Sequence, residues 1–302
     1  MSVITSGSFA KALWPGVNAW YGKAYNEYSV EWDKLFDKNK STRQFEEDVG
    51  TSGFGLAVVK PEGASIQYDS ERQAYINRYT HFTYGLGFII TREIMEDDQY
   101  DVVGQRKAQG LAFSVRQTKE NLAAGVYNRA FNSSYTGGDG KELLATDHPL
   151  FTGGTWSNEL STAADLSEAA LEQAHIDIAG FTNDRGLLIS VRPKTLIIPR
   201  QLMFEAKRIL APTGRPGTDT NDVNAIKAMG LVPEMVVNHY LTDTDAWFLR
   251  TDAPHGMKYF ERRGDSFDMD NDFDTENAKF KATFRCSFGW TDPRGLFGSP
   301  GA

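Results

Sequence analysis

Residues 70 to 91, with the sequence SERQAYINRYTHFTYGLGFIIT, decide the fold of this chain. The stretch is rich in Tyr, Phe, Ile and Thr and contains no proline, a composition typical of β-strands. As a single strand, residues 74 to 91 would extend roughly 60 Å at about 3.3 Å per residue. A globular chain of 302 residues is roughly 50 Å across. We therefore do not expect the chain to cover this strand, and its open edge predicts pairing with other subunits.

A projecting β-hairpin is predicted around this stretch. Residues 56 to 59 form a short ascending strand, Pro61, Glu62 and Gly63 are a turn signal, and residues 74 to 91 descend. One face of the descending strand is predicted to carry Ile76, Phe82, Leu86, Phe88 and Ile90, and the other Tyr75, Asn77, Tyr79, His81 and Thr83. The tip at residues 69 to 72 is polar, so we expect solvent around it.

A long helix follows the hairpin, predicted from about residue 98 to residue 131. Glu96, Asp97 and Asp98 lie where the partial positive charge of a helix N-terminus favours acids. An apolar stripe recurs at 3.6-residue spacing: Ala108, Leu111, Val115, Thr118, Leu122 and Val126. Polar residues fall elsewhere on the helix: Arg106, Gln109, Arg116, Gln117 and Glu120. At about 1.5 Å per residue the helix is a rod of roughly 50 Å.

The first 50 residues are polar and irregular, with scattered aromatic side chains. Trp20, Ala24, Tyr28 and Trp32 recur every four residues, which predicts a short amphipathic helix within residues 17 to 36. Two interpretations stay open at this point. The segment is either an arm that packs onto another molecule or a terminal helix docked on its own domain.

The second half of the chain alternates helices and strands after a stretch rich in Gly and Ser. A helix is predicted from a capping signal at residues 165 to 168 through Phe181, and another over residues 201 to 210. Strands are predicted at residues 192 to 199, 232 to 240, 246 to 250, 257 to 263 and 279 to 290. The last strand places Phe280, Ala282, Phe284, Cys286, Phe288 and Trp290 on one face. Residues 212 to 222 read as a loop, and no internal repeat is evident.

Composition excludes several classes of protein. With 40% hydrophobic and 24% charged residues the chain is typical of globular proteins rather than disordered ones. The formal net charge of −8 argues against a surface dedicated to wrapping nucleic acid. Cys286 is the single cysteine, so neither a disulfide framework nor a thiolate metal cluster is expected. The sequence contains no apolar run of membrane-spanning length and no signal-peptide core.

Residue patterns that carry chemistry are weak. The sequence contains no phosphate-binding loop, dinucleotide fingerprint, zinc-protease motif or hydrolase elbow. Five histidines, at positions 81, 148, 175, 239 and 255, lack ligand spacing, and we expect structural or surface roles for them. Residues 268 to 274 place acids at alternate positions, but Phe273 and Lys279 stand where a calcium loop needs Gly and Glu. We predict no catalytic, cofactor-binding or metal-binding residues.

The order of these parts resembles the major capsid protein of tailed bacteriophages, whose fold is shared with the herpesvirus capsid floor and with encapsulins. Locally the chain is most similar to the Mu-type head subunit family. Three segments carry the resemblance: residues 90 to 98 leading into the long helix, residues 147 to 149, and residues 193 to 199 with the helix after them. The resemblance covers essentially the whole chain by architecture.

That resemblance implies an α+β phage capsid fold with five parts. They are an N-terminal arm at 1–50, an extended β-hairpin loop at 51–91, a peripheral domain at 92–165 with a spine helix at 98–131, an axial domain at 166–250 and return strands at 251–302. The implied function is structural, not enzymatic. Subunits would self-assemble into pentamers and hexamers of an icosahedral head that encloses double-stranded DNA.

The resemblance also implies the partners. Besides capsomer neighbours, these are a separate scaffolding protein, a portal, a decoration protein and packaged DNA held by weak non-specific contacts. No membrane partner is expected. Assembly would occur in the host cytoplasm, and the product would be the virion capsid. Two alternatives stay open: an encapsulin-like compartment that encloses enzyme cargo, and a soluble α/β enzyme that uses Asp147 with His148 or the acidic segment at 268 to 274.

Overall fold

The computed structural model describes residues 10–27, 29–96, 100–150, 153–214, 223–272 and 275–302. The helices are α1 (Ala10–Glu27), α2 (Arg92–Glu96), α3 (Tyr100–Asn128), α4 (Glu168–Ala179), α5 (Met203–Leu210) and α6 (Ala225–Ala228). The strands are β1 (Asp37–Lys40), β2 (Phe45–Thr51), β3 (Gln73–Thr80), β4 (Phe82–Ile90), β5 (His148–Pro149), β6 (Thr155–Trp156), β7 (Pro193–Pro199), β8 (Glu234–Asn238), β9 (Trp247–Thr251), β10 (Met257–Asn271), β11 (Ala278–Trp290) and β12 (Leu296–Ser299).

A four-stranded sheet in the order β1-β10-β11-β4 forms the floor of the first core. Long β10 and β11 pair antiparallel from Met257 opposite Trp290 to Asn271 opposite Ala278. The predicted apolar face of β11 is confirmed, because Phe280, Ala282, Phe284 and Cys286 are buried while the last two members of the set are half-buried. Helix α3 packs over this sheet with its predicted apolar stripe facing the core. Four residues of the stripe are buried, and Thr118 and Leu122 are half-buried. Sheet and helix therefore form one body.

A second four-stranded sheet, in the order β12-β9-β7-β8, supports a separate core. Its centre contains Trp247, Leu171, Leu196 and Phe297, all fully buried. Helix α4 begins as predicted: the Ser167 hydroxyl accepts a hydrogen bond from the backbone amide of residue 170. The described residues thus form two adjoining cores, each with its own sheet.

The amino-terminal helix lies earlier in the chain than predicted and docks on its own subunit. α1 spans Ala10–Glu27, and Trp32–Lys34 form only a single 3₁₀ turn; Tyr28 lies outside the described residues. The ring of Tyr21 stacks on Phe267 at 4.5 Å between centroids, and the Tyr25 hydroxyl hydrogen-bonds the carboxylate of Asp265. Of the two open interpretations, the described part of the segment supports docking on the chain's own domain.

Glu120 explains why the helix does not continue to Trp32. Its two carboxylate oxygens accept hydrogen bonds from the backbone amides of Glu31 and Trp32, both at 2.9 Å. These amides are therefore bonded to a side chain instead of to helix carbonyl groups. Although Glu120 lies off the apolar stripe of α3, the residue is only 2% exposed. Burial raises the pKa of this carboxyl group, against the opposing effect of the two amide hydrogen bonds.

The single long strand predicted over residues 74 to 91 is wrong, because it breaks at His81 into β3 and β4. Within the described residues β3 pairs with β2 alone, whereas β4 pairs with β11 in the floor sheet. The two ring nitrogens of buried His81 lie 2.9 Å from the Ser287 hydroxyl and 3.0 Å from the Ser41 hydroxyl, which fixes the break. The predicted faces fail on β3 for the same reason: Tyr79 is buried and Ile76 is exposed.

The remaining differences concern the ends of elements. α3 ends at Asn128 instead of residue 131, and its predicted first residues, 98 and 99, lie outside the described chain. The helix predicted from residue 201 opens with a 3₁₀ turn at Arg200–Leu202 before α5. β10 extends to Asn271, far beyond residue 263. Among the described residues, no helix combines the length and apolarity needed to cross a bilayer.

Candidate assembly surfaces

β2 and β3 form a separate two-stranded ribbon that packs along the body, where Asp48 forms an ion pair with Lys258 and the Asn77 side-chain amide donates to the Thr291 carbonyl oxygen at 2.8 Å. They pair antiparallel from Phe45 opposite Thr80 to Thr51 opposite Gln73. At the far end, the Ser52 amide donates to the carbonyl oxygen of Arg72 at 2.9 Å. Residues 53 to 71 then connect the strands as an irregular loop, hereafter the ribbon loop. The ascending strand predicted at residues 56 to 59 is therefore wrong. The strand that pairs with β3 is β2, which lies earlier in the chain, and residues 56 to 59 belong to the ribbon loop.

The ribbon loop presents apolar side chains to solvent. Leu56 is 78% exposed, Val59 93% and Tyr68 91%, and Phe54, Val58 and Ile66 are each at least 60% exposed. Residues 69 to 72 are exposed, as predicted, but they lie where the loop returns to β3 and not at its tip. Clustered apolar exposure of this kind marks an interaction surface.

The base of the ribbon loop is nevertheless ordered. The carboxylate of Asp69 accepts hydrogen bonds from the Gly55 amide at 2.8 Å and from the Arg185 guanidinium at 2.7 Å. Arg185 also donates to the carbonyl oxygen of Ser70. Amide hydrogen bonds from Gly55 and Ser70, followed by the Arg185 charge, hold the pKa of Asp69 below its ordinary value. The loop is therefore tied to the segment between α4 and β7.

The free edge of β4 is the second notable surface. β4 is nine residues long, carries no charged side chain and leaves Phe82, Leu86 and Ile89 more than half exposed. In the described part of the chain, no strand pairs with its outer edge. The opposite edge of the same sheet, β1, has only four residues, of which Asp37, Lys38 and Lys40 are charged. Edge strands are normally short or charged because open apolar edges recruit other chains.

Asp147 and His148, the pair that the alternative enzyme interpretation would use, do not form a joint site. His148 is fully buried, with its ring nitrogens 2.7 Å from Asp139 and 3.0 Å from the side-chain oxygen of Asn158. Asp147 instead forms an exposed ion pair with Lys141 at 2.5 Å. The two neighbouring side chains therefore engage different partners, and His148 has the structural role expected for it.

Asn158 binds the segment around His148 to the carboxyl-terminal strand. Its side-chain oxygen also accepts from the amide of Ala145 at 3.0 Å. Its amide nitrogen lies near three carbonyl oxygens, those of Leu143 at 2.8 Å, Pro293 at 3.0 Å and Leu296 at 3.2 Å. The side chain is completely buried. Sequence reasoning missed this residue because a single Asn in a loop carries no periodic signal.

The acidic segment beginning at Asp268 is not a calcium loop. Asp268 and Asp270 do not lie in a loop; they lie on β10, in register with Lys281 and Lys279 of β11. Each of these two acids therefore lies opposite a lysine of the neighbouring strand, where opposite charges are favourable. Residues 273 and 274 lie outside the described chain, and the described residues contain no group of three or more His, Cys, Asp or Glu arranged to hold a metal ion.

Two further titratable groups, His81 and Cys286, lie in the interior. Burial lowers the pKa of His81, the Arg285 and Arg262 charges add to that, and Glu46 opposes it. Cys286 is buried, and burial raises the pKa of its thiol to about 12.

A cavity of about 250 Å³ lies between the ribbon and Arg294. The guanidinium of Arg294 is already paired with Asp184 and Asp292. The notable surfaces are therefore the ribbon loop and the β4 edge.

Both surfaces bear a signal in the sequence. Phe54, Leu56 and Val58 alternate like a half-buried strand, although no partner strand follows from the sequence. β4 is free of charge over its whole length. The sequence alone does not show that β4 lies at a sheet edge, so its lack of charge gains meaning only once the strand order is known.

Comparisons with known proteins agree with this architecture. A family model described as phage capsid protein matches residues 76 to 298. No curated protein sequence matches the chain. Among solved structures, the procapsid of bacteriophage JBD30 aligns with a TM-score of 0.53 at 15% identity, over 97% of this chain and 75% of that one.

Two further structures are similar in fold. A virus-like particle from Pyrococcus furiosus aligns with a TM-score of 0.53 at 10% identity, over 94% of this chain and 98% of that one. The capsid of an empty GTA particle aligns with a TM-score of 0.54 at 9% identity, over 89% and 88% of the two chains. Identities this low show the shared fold alone. Because the family match spans more than half of the chain, the protein belongs to the phage capsid protein family and is a structural capsid protein with the phage capsid fold.

Proposed function

We propose that this protein is the major capsid subunit of a tailed phage and assembles into pentamers and hexamers of an icosahedral head around double-stranded DNA. The observation that carries the proposal is the ribbon loop, whose apolar side chains are exposed in the single subunit. Family membership supplies the structural role. The Mu-type resemblance belongs to the same proposal.

Burial of the ribbon loop supplies a driving force for assembly. Fully burying an exposed Val, Leu or Phe side chain contributes about 1.5–3 kcal/mol. The loop offers several such side chains, including Leu56, Val59 and Tyr68. A surface that binds a different surface on the next copy makes a heterologous contact, and such contacts close into rings. Pentamers and hexamers are rings of this kind.

We assign the parts of the chain on the same basis. Residues 1–50 are the N-terminal arm, which ends within β2 of the ribbon, 51–91 the extended loop, which ends with β4 of the floor sheet, 92–165 the peripheral domain, 166–250 the axial domain and 251–302 the return strands. The separation into two cores supports distinct peripheral and axial domains. The described part of the arm packs on α3 of its own subunit.

The proposed partners follow from the assembly. A separate scaffolding protein would set the curvature, a portal would occupy one vertex, and a decoration protein would bind the outer surface. A net charge of −8 supports only weak, non-specific contact with packaged DNA. The shell would form in the host cytoplasm and persist as the virion capsid.

Deletion of the loop tip tests the proposal. Replacing residues 56 to 68 by a short Gly-Ser linker removes the exposed apolar side chains and keeps Asp69 with its Gly55 and Arg185 contacts, so the subunit should keep its circular dichroism spectrum and cooperative unfolding while shells no longer form. Normal shells from the deleted protein would contradict the role of the loop. Particles that enclose protein cargo and no DNA during phage growth would contradict genome packaging and favour a compartment.

A further inference from the structure

We propose that residues 54 to 59 of one subunit bind as an added β-strand along the free edge of β4 in a neighbouring copy. The inference rests on the proposed self-assembly and names the two surfaces that meet. It joins a strand-like segment that lacks a partner to an open strand edge that lacks a cover.

The donor is strand-like in sequence but unpaired in its own subunit. Residues 54 to 59 read FGLAVV, without charge or proline, a composition that favours β-structure. In the described chain they form no strand, and Phe54, Leu56, Val58 and Val59 are exposed. Apart from the Gly55 amide, which donates to the Asp69 carboxylate, their backbone groups can therefore pair with another edge without first breaking a native ladder.

The acceptor is the longest uncharged edge of the two four-stranded sheets. β1 is short and charged. β12 is fully buried, and β8 is five residues long and begins with Glu234, which forms an ion pair with Lys34. β4 alone among these edges combines nine residues, no charge and exposed Phe82, Leu86 and Ile89. Pairing would bury those side chains and satisfy the outer backbone groups.

The two surfaces do not meet within one subunit. The loop begins at the far end of the ribbon, and eight-residue β3 separates it from His81, a distance of about 26 Å at about 3.3 Å per residue. Its base is held by Arg185, in the segment before β7, which belongs to the other core. A second copy must therefore supply the partner.

Donor and acceptor are different surfaces of the same chain. Each subunit can donate one loop and accept one loop, so the contact is heterologous and propagates around a ring. A main-chain ladder also fixes direction and register, which apolar contact alone does not. Strand addition thus accounts for both the strength and the regularity of a capsomer contact.

Hydrogen exchange of the wild-type protein tests the pairing without any substitution. Backbone amides in residues 54 to 59 and in residues 82 to 90 should exchange rapidly or moderately in free subunits and become protected together in assembled particles. Protection of neither segment in particles would overturn the inference. Absence of particles under all conditions would instead contradict the proposed self-assembly.

Disulfide trapping tests which segments meet. Subunits carrying Val58→Cys are mixed with subunits carrying Leu86→Cys or Ile89→Cys, assembled and oxidised. A covalent heterodimer should form with at least one acceptor, since directly opposed Cβ atoms lie about 4.5–5.5 Å apart. The matched control acceptor is Ile176→Cys, at an exposed position on α4, and buried Cys286 should not react. Shells in which Val58→Cys links to neither β4 position would overturn the pairing while leaving self-assembly intact.

Discussion

Replacing Leu56 by Ser should weaken assembly without weakening the subunit. Leu56 is 78% exposed in the ribbon loop, so the free subunit loses almost no packing. Exposed substitutions usually change stability by less than about 0.5 kcal/mol. The unfolding midpoint of disassembled subunits should therefore stay where it is in the wild type.

The expected effect on assembly follows from the exposed fraction. Full burial of a Leu side chain contributes about 1.5–3 kcal/mol, so burying the exposed part contributes about 1–2 kcal/mol. Each subunit donates one loop, and every 1.4 kcal/mol corresponds to about tenfold in an equilibrium constant. The Leu56→Ser protein should need about 5- to 30-fold more subunit before particles appear.

The assay is the critical concentration for assembly, measured by light scattering over a dilution series. Ile176→Ser is the matched control because Ile176 is a similarly exposed aliphatic residue on α4. It should leave the critical concentration near the wild-type value. An unchanged critical concentration for Leu56→Ser, with a normally folded subunit, would refute burial of the loop on assembly.

Three further predictions concern the subunit. Asn158→Ala leaves several buried polar groups unpaired, so the free energy of unfolding measured in urea should fall by about 3 kcal/mol or more. A fall below about 1 kcal/mol would show that the network contributes little. Glu120→Ala removes the acceptor of two backbone amides and should lower the free energy of unfolding by about 2 kcal/mol, with Glu120→Gln intermediate. Equal stability of the wild type and both variants would contradict this prediction. Because burial lowers the pKa of folded His81, the unfolded chain binds the proton more readily, so stability should fall as pH drops below about 6.5. His81→Gln should reduce that slope in unfolding titrations, and an identical slope would exclude His81 as its source.

The sequence predicts the regular elements of the body well. α3 and β11 each carry a long apolar pattern that matches one face, and α4 carries a Ser cap that the structure uses. These signals are local, so neighbouring residues suffice to read them. The order of strands within each sheet is not local and was not predicted.

The departures have non-local causes. Strand composition continues unbroken through His81, whereas the break depends on Ser41 and Ser287, which are distant in sequence. Glu120 is buried because it bonds the backbone near Trp32, a contact that helical periodicity cannot reveal. Residues 56 to 59 have strand composition without an intramolecular partner. The ribbon loop was therefore predicted to project, but its apolar character was missed.

The most direct test of self-assembly is negative-stain microscopy with light scattering on the purified protein, alone and with a co-expressed scaffolding gene from its neighbourhood. We predict rings of five or six subunits, or closed shells tens of nanometres wide, in at least one of these conditions. A monodisperse monomer or dimer in every condition would contradict the assignment as a self-assembling capsid subunit.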